Sequence, residues 1–280
     1  MAEYILKADE KERGLQKKMI RLLSDAGIRP DPHLDYSCVL VDEDDNVLAS
    51  GSLFRNTLRC LAVRPDFQGE GYMGRIVSHL LQIEISRGYT NAFLCTKSSY
   101  KELMTDLGFH EIVSVPGAVF MESRKDGFVK WLEGVRNELE EEKWEARASR
   151  EECIGTAAIV MNANPFTLGH RHLIEHAAAG CDSLYVFAVS ESGSFFSPEE
   201  RIEMIRKGTA DIPNCYIYAS DLYLISRATF PAYFIKDKVR AETVKADLDI
   251  EFFAGRLAPA LGITRHSMPA LGSTSSMASL

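Results

Sequence analysis

The 280-residue chain has no CxxC pair, no run of about 20 apolar residues and no excess of basic charge. Each absence removes a class of protein. Without closely spaced cysteines there is no zinc-ribbon or dithiol redox motif, and the six cysteines, at 38, 60, 95, 153, 181 and 215, are expected to be reduced and mostly buried thiols. A bilayer-spanning helix needs about 20 apolar residues, so no membrane partner is expected. The opening MAEYILKADEKERG is charged from its third residue, so no secretory apolar core is expected and the cytoplasm is the default compartment. With 32 basic against 40 acidic residues the net charge is −8, which argues against nucleic acid as a partner and leaves room only for a local anion pocket. No GxSxG and no nucleophile–base pair is present, so covalent catalysis by a side chain is not expected.

What the chain does have is the composition of a soluble globular protein, 46% hydrophobic and 26% charged, with length for one large domain or two ordinary ones. Its character changes between Lys125 and Glu152. The stretch KDGFVKWLEGVRNELEEEKWEARASREE is dense in charge, and Phe128, Trp131, Leu132, Val135 and Leu139 recur at helical spacing. We read 126–152 as a charged connecting helix between domains at 1–125 and 153–280.

In the first half, a helix is expected from Lys11 to Ala26. A hairpin follows, Ser37 to Val41 and Val47 to Phe54, around Asp44-Asp45-Asn46. Strands are expected at Thr57–Val63, Asn91–Thr96 and Val119–Glu122, and a helix from Gly74 to Ser86. This is a mixed α/β unit. In the second half, strands at 155–161, Leu184–Val189 and Tyr216–Ala219 alternate with helices at 169–179 and Pro198–Lys207, a pattern that implies a parallel sheet with right-handed crossovers.

Gly69-Glu-Gly-Tyr-Met-Gly74 matches GxGxxG between a strand and a helix, the signature of a dinucleotide loop. Two features oppose that reading. Arg64 to Gln68 separates the strand from the first glycine, and the next strand ends at Thr96-Lys97 rather than on an acid that would hold a ribose. The block VRPDFQGEGYMG better resembles the acetyl-CoA loop of GNAT-type N-acetyltransferases, Q/R-x-x-G-x-G/A, and Leu107-Gly108-Phe109 resembles that family's later LGF turn. The resemblance implies that Gln68, Gly69, Gly71 and Gly74 face a CoA-like arm at a helix N-terminus. Met73 departs from the pattern, standing where a small residue is usual. A GNAT-like fold kept only for docking or support therefore stays open beside cofactor binding.

The second motif is NPFTLGH, Asn164 to His170, at the carboxyl end of the first strand of the alternating half. That is where open α/β sheets place ligands. Gly169 admits close backbone approach, the free N–H groups of the next helix attract negative charge, and Thr167 and His170 can offer hydrogen bonds to phosphate oxygens. His172 and His176 stand i, i+4 on the same helix without a third ligand, so they are read as a polar face and no metal site is expected. Ser197 with Glu200 reads as a capping box opening the next helix.

Thr167-Leu-Gly-His170 resembles the T-x-G-H form of the (H/T)xGH signature of the nucleotidyltransferase superfamily, and Ser197 to Ile205 resembles its arginine-bearing helix. The implied fold class is α/β: an N-terminal GNAT-like mixed α/β domain, then a Rossmann-like parallel-sheet nucleotidyltransferase domain. The order of the two halves, with FQGEG, NPFTLGH, FFSPEER, ATFPAYFIK (228–236) and RLAPALGIT (256–264), is similar to the citrate lyase ligase family over nearly the whole chain. What that resemblance implies is an ATP-dependent ligase. Acetate would attack the α-phosphorus of ATP, with Mg²⁺ on the phosphates, and the acetyl group would pass from acetyl-AMP to the CoA-derived prosthetic thiol of the citrate lyase acyl carrier subunit. Thr167 and His170 would then be catalytic, and Met161, Asn162, Asn164, Phe166, Gly169 and Arg201 would bind the nucleotide.

One departure bears on activity. The superfamily's second phosphate segment, ISxSxxR, has no counterpart in RHSMPALGSTSSMASL, where Ser273 to Ser276 echoes it without an arginine. The expectation is a chain truncated or frame-shifted at its C-terminus. Another adenylyltransferase of the superfamily, a GNAT acetyltransferase, and an inactive carrier-binding scaffold are the alternatives.

Overall fold

A computed structural model describes residues 3–8, 13–146, 155–189, 195–220, 223–224, 232–235, 237–267 and 278–279. Cys153, the end of the connecting segment (147–152), residues 228–231 and Lys236 of ATFPAYFIK, and Ser273 to Ser276 lie outside them.

The chain forms two compact units, Met1–Gly127 with Ala228–Leu248, and Phe128–Arg227 with Asp249–Leu280. They do not follow the sequence order. The boundary expected at 153 assigns Ala228–Leu248 to the second half, whereas its contacts lie with the first, and most of the charged helix joins the second unit.

The first unit is built on a seven-stranded sheet ordered β1-β2-β3-β4-β5-β7-β6. Its strands are β1 (Tyr4–Lys7), β2 (Tyr36–Val41), β3 (Val47–Phe54), β4 (Thr57–Val63), β5 (Phe93–Thr96), β6 (His110–Val115) and β7 (Ala118–Glu122), with helices α1 (Arg13–Asp25), α2 (Tyr72–Ser86) and α3 (Lys101–Asp106). Strand alternation divides β2 between two cores. Cys38 and Leu40 join Leu48, Leu58, Leu94 and Phe109 beneath Ile76, Val77 and Leu80 of α2. Val39 and Val41 join Cys60 and Ala62 beneath Met19, Leu22 and Leu23 of α1. Gly51 permits the close approach of α2, because a Cβ there would lie 2.4 Å from Ile76 Cγ2.

All neighbouring strands of this sheet are antiparallel except β4 and β5, which run parallel and pair only at Thr57–Phe93 and Leu58–Leu94. Beyond Leu58 the two strands part, and a cavity opens there.

The second unit carries the sheet β10-β9-β8-β11-β12. Strands β8 (Thr156–Met161), β9 (Ser183–Ala188), β10 (Cys215–Ala219) and β11 (Ile263–Ser267) are parallel, and the two-residue β12 (Ala278–Ser279) is antiparallel to β11. Helix α4 (Gly127–Ala146) gives this unit Phe128 and Trp131, which pack with Tyr223, and Phe128 also meets Phe252 edge-on. Helices α5 (Leu168–Ala179) and α6 (Pro198–Gly208) form the crossovers to β9 and β10. The chain then passes through α7 (Lys238–Phe252), a π-helical turn at Phe253–Leu257 and α8 (Ala258–Leu261), and returns to β11 on the other side of β8. The strand order therefore reverses at β8, which puts its carboxyl end at a topological switch point.

Candidate functional site

NPFTLGH occupies that switch point. β8 ends at Met161, Ala163 takes φ 45, and α5 begins at Leu168 with Thr167 as its N-cap. The cap is reciprocal. Thr167 Oγ1 accepts from the His170 amide at 3.4 Å, while the Thr167 amide donates to His170 Nδ1 at 3.1 Å. A histidine thus takes the place that Glu or Gln fills in an ordinary capping box. An amide can only donate, so Nδ1 must be the unprotonated nitrogen, and a neutral ring carries its proton on Nε2. Burial holds the His170 pKa below its ordinary 6.5, favouring that neutral form. Nε2–H is left without a protein partner among the described residues. No acidic residue lies in the first turn of α5, so its N–H groups and the imidazole donor present a site suited to an anion.

The neighbouring residues hold this loop in place. Phe166 stacks on His170 with ring centroids 5.9 Å apart, and it also lies against Gly208, where a Cβ would come within 2.4 Å of Phe166 Cε1. Asn164 Oδ1 accepts from the Phe196 amide at 3.4 Å. Arg201 is 1% exposed, and its Nη1 donates to the Asn162 carbonyl at 3.1 Å and also bonds the Asn162 side chain. Ser197 and Glu200 form the capping box that opens α6 above it. Arg171 is committed to the Gly208 carbonyl at 2.6 Å and to Asp211 at 2.7 Å and 3.0 Å, which fastens α5 to the end of α6.

Of the residues expected to bind nucleotide or act in catalysis, Thr167, Gly169 and His170 are thus brought together at the accessible opening of α5. Met161 is 2% exposed and packs in the core with Ile159 and Ile174. Arg201 and Asn162 bond each other beneath the loop. His172 and His176 are exposed on the outer face of α5, and among the described residues no group of three or more His, Cys, Asp or Glu could hold a metal ion. No helix among them is long and apolar enough to cross a membrane. Leu168, at the motif's variable position, is 85% exposed beside the cap.

The first unit has its own cavity, about 340 Å³, between the parted strands β4 and β5. Gln68, Gly69, Gly71, Met73 and Gly74 all line it. Gly69 and Gly71 take φ 94 and 79, and Gly71 is the N-cap of α2, so the glycines supply a backbone turn that aims the helix N-terminus at the cavity. A short 3₁₀ turn at Pro65–Phe67 separates β4 from this loop, unlike the direct strand-to-glycine passage of a dinucleotide fingerprint. The far wall includes Tyr233, which sequence reasoning missed. ATFPAYFIK stood out as a family stretch, but nothing local to it says which cavity it enters. The described cysteines, 38, 60, 95, 181 and 215, are all free thiols.

Comparison with known proteins assigns both halves. The Acetyltransferase (GNAT) family matches residues 4–109, and the Citrate lyase ligase C-terminal domain matches residues 156–272. Among curated proteins, the chain is 37% identical over 229 residues to the [Citrate [pro-3S]-lyase] ligase of Escherichia coli K12, covering 81% of this chain and 62% of that protein. It is 34% identical over 256 residues to the protein of the same name from Haemophilus influenzae, covering 90% of this chain and 73% of that one. The chain thus spans between about three fifths and three quarters of these relatives. With a GNAT unit, a parallel-sheet unit carrying NPFTLGH at its switch point, and this identity across both, the chain belongs to the citrate lyase ligase family.

Proposed function

We propose that the chain activates acetate with ATP and delivers the acetyl group to a CoA-derived thiol on the citrate lyase acyl carrier. The observation that carries this reading is the reciprocal Thr167–His170 cap, which leaves a neutral imidazole with its Nε2–H available at the N-terminus of α5. Relatives named as citrate lyase ligases support the substrate class.

In the first step a carboxylate oxygen of acetate attacks the α-phosphorus, the bond to the bridging oxygen breaks, and pyrophosphate leaves. Negative charge accumulates on the phosphate oxygens, where the His170 Nε2–H, the Thr167 hydroxyl and the N–H groups of α5 stabilise it. The nucleotide would enter as Mg–ATP, the cation supplying part of the charge neutralisation at the phosphates. Gly169 keeps the approach to these donors open. Arg201 serves from below, fixing the end of β8 through Asn162, and Phe166 steadies the imidazole. In the second step the carrier thiol loses its proton, sulfur attacks the acetyl carbonyl, and AMP leaves. The cavity of the first unit, with Gln68, Gly69, Gly71 and Gly74 at its mouth, holds the CoA-like arm.

The test is incubation with ATP, acetate and thiol-form carrier. Acetyl-carrier and AMP appearing in equal amounts is the expected result. Acetylation driven by acetyl-CoA in the absence of ATP would contradict the reading and favour a GNAT acetyltransferase.

A further inference from the structure

The first unit has a second cavity, about 540 Å³, to which the acetyl-transfer reading gives no role. It lies where the end of α1, the turn after β5, the β6–β7 turn at Gly117 and the start of α7 meet. Its floor is apolar, made by the buried side chains of Phe234, Ile235 and Val244. Three hydrogen bonds pin the segment that carries the first two. The Cys60 N–H donates to Tyr233 Oη at 2.9 Å, the Arg29 amide to the Tyr233 carbonyl at 3.1 Å, and Arg29 Nη2 to the Ile235 carbonyl at 3.2 Å. The Gly117 amide donates to Ser98 Oγ at 3.3 Å, which ties the two turns together.

Four charged side chains stand around this floor: Asp25, Lys97, Asp237 and Arg240. Elsewhere in the unit opposite charges this close find each other, as in Arg59–Asp31, Arg64–Asp66, Arg75–Glu3 and Lys101–Glu111. Here none of the four forms an ion pair among the described residues. Asp237 is committed in another way, since its Oδ1 caps α7 by accepting from the Val239 amide at 2.8 Å and the Arg240 amide at 3.2 Å. Two cations, Lys97 and Arg240, and one carboxylate, Asp25, are left without a side-chain partner among the described residues.

We propose that this cavity binds an acidic amino acid. Such a ligand carries two carboxylates and one ammonium on a short methylene chain, the complement of two cations, one carboxylate and an apolar floor. Lys97 and Arg240 take the carboxylates, and the guanidinium can do so with two parallel hydrogen bonds. Asp25 takes the ammonium, and Phe234, Ile235 and Val244 take the methylenes. A plain dianion sets its charge against Asp25, and a plain cation sets its charge against Lys97 and Arg240, so neither satisfies all three groups. The site depends neither on adenylation at NPFTLGH nor on an arm in the first cavity.

The test is calorimetric titration of the 280-residue chain with L-glutamate and with glutarate, which has the same two carboxylates and no ammonium. L-aspartate and succinate make a second matched pair. In at least one pair the amino acid is expected to bind about fivefold tighter than its diacid, the effect of one solvent-facing ion pair. Asp25→Asn is expected to erase that difference, and Arg240→Gln to weaken the amino acid and the diacid alike. Both positions are exposed, and thermal unfolding checks that the variants are folded. Diacids that bind as tightly as their amino acids would overturn the proposal, as would a preference that survives Asp25→Asn. Saturable binding of none of the four probes would overturn the site itself.

Discussion

The Thr167 amide and the His170 imidazole are joined by a hydrogen bond of 3.1 Å onto Nδ1, and Thr167 Oγ1 lies 2.8 Å from the same nitrogen. The bond fixes the tautomer, and the tautomer fixes what the histidine can offer. Nδ1 belongs to the helix cap, and Nε2 is the atom proposed to meet the phosphate.

Two substitutions separate those duties. In His170→Asn the amide oxygen can take the place of Nδ1, so the cap survives while the outer donor is lost. His170→Ala removes both and costs about 1 kcal/mol of stability, the usual worth of a cap. Thermal unfolding is expected to place His170→Asn near the wild type and His170→Ala below it, with adenylation lost in both. An adenylation-competent His170→Asn would mean that Nε2 takes no part.

The same geometry sets a pH dependence. Protonating His170 puts a hydrogen on Nδ1, facing the Thr167 amide, and breaks the cap. Because burial holds this pKa below 6.5, the neutral ring is favoured in the folded chain and its contribution is lost only as pH falls through that lowered value. Adenylation rates measured from pH 5 to 9 are expected to be level above neutrality and to fall on the acid side, with no alkaline loss traceable to His170.

Gly208 tests the support beneath the ring. In a helix, alanine ordinarily improves on glycine by about 1 kcal/mol. Here the new Cβ would meet Phe166 Cε1 at 2.4 Å, and such crowding costs about 1–3 kcal/mol. Gly208→Ala is expected to raise the KM for ATP and to lower the unfolding temperature. A more stable variant with an unchanged KM would show that Phe166 does not position His170.

Glu84 tests the first unit independently of ligands. Its side chain is 2% exposed, neither carboxylate oxygen has a hydrogen-bond partner among the described residues, and Arg87 stands 3.5 Å away. Burial pushes its pKa from 4.5 up to about 7, with Arg87 opposing and Asp35 adding to the rise. The folded chain holds this proton more tightly than the unfolded one, so the stability is present in full below 4.5 and is lost as pH rises through about 7. Glu84→Gln is expected to unfold like the wild type at pH 4.5 and to be more stable at pH 8 by about 1–3 kcal/mol. A difference independent of pH would contradict this.

The legible parts of the molecule are those whose cause is local. The strand–helix alternation from Thr156 to Ala219 follows from apolar runs punctuated by turn residues, and each element lies within a residue or two of its expected bounds. The opening strand Tyr4–Lys7 and the strand His110–Val115 were missed because both are short and partly exposed, with little alternation to mark them. Helix α7 was missed because Lys238 to Phe252 scatters its apolar residues among charges. At the site, Thr167 and His170 were visible as a motif, whereas the direction of their hydrogen bonds was not. Arg201 was visible as an arginine near the site, but its burial under Asn162 depends on how α6 packs against the end of β8. Tyr233 was invisible for a stronger reason, since its partner Cys60 is 173 residues away and the contact exists only in the folded unit.

Gly71 separates the two proposed steps. It takes φ 79, which L side chains rarely adopt, and it lines the cavity, so a bulky side chain there would enter the space proposed for the arm. Gly71→Trp is expected to impair acetylation of the carrier while leaving acetate activation intact, measured as carrier acetylation and ATP consumption in parallel. Equal loss of both would contradict a division of labour between the units.

The proposed adenylation of acetate at NPFTLGH is measured directly by acetate-dependent exchange of labelled pyrophosphate into ATP, which requires neither carrier nor thiol. Exchange that needs acetate, runs with the 280-residue chain and disappears in His170→Asn is the predicted result. A folded chain that binds ATP yet shows no exchange, or exchange that persists in His170→Asn, would contradict it.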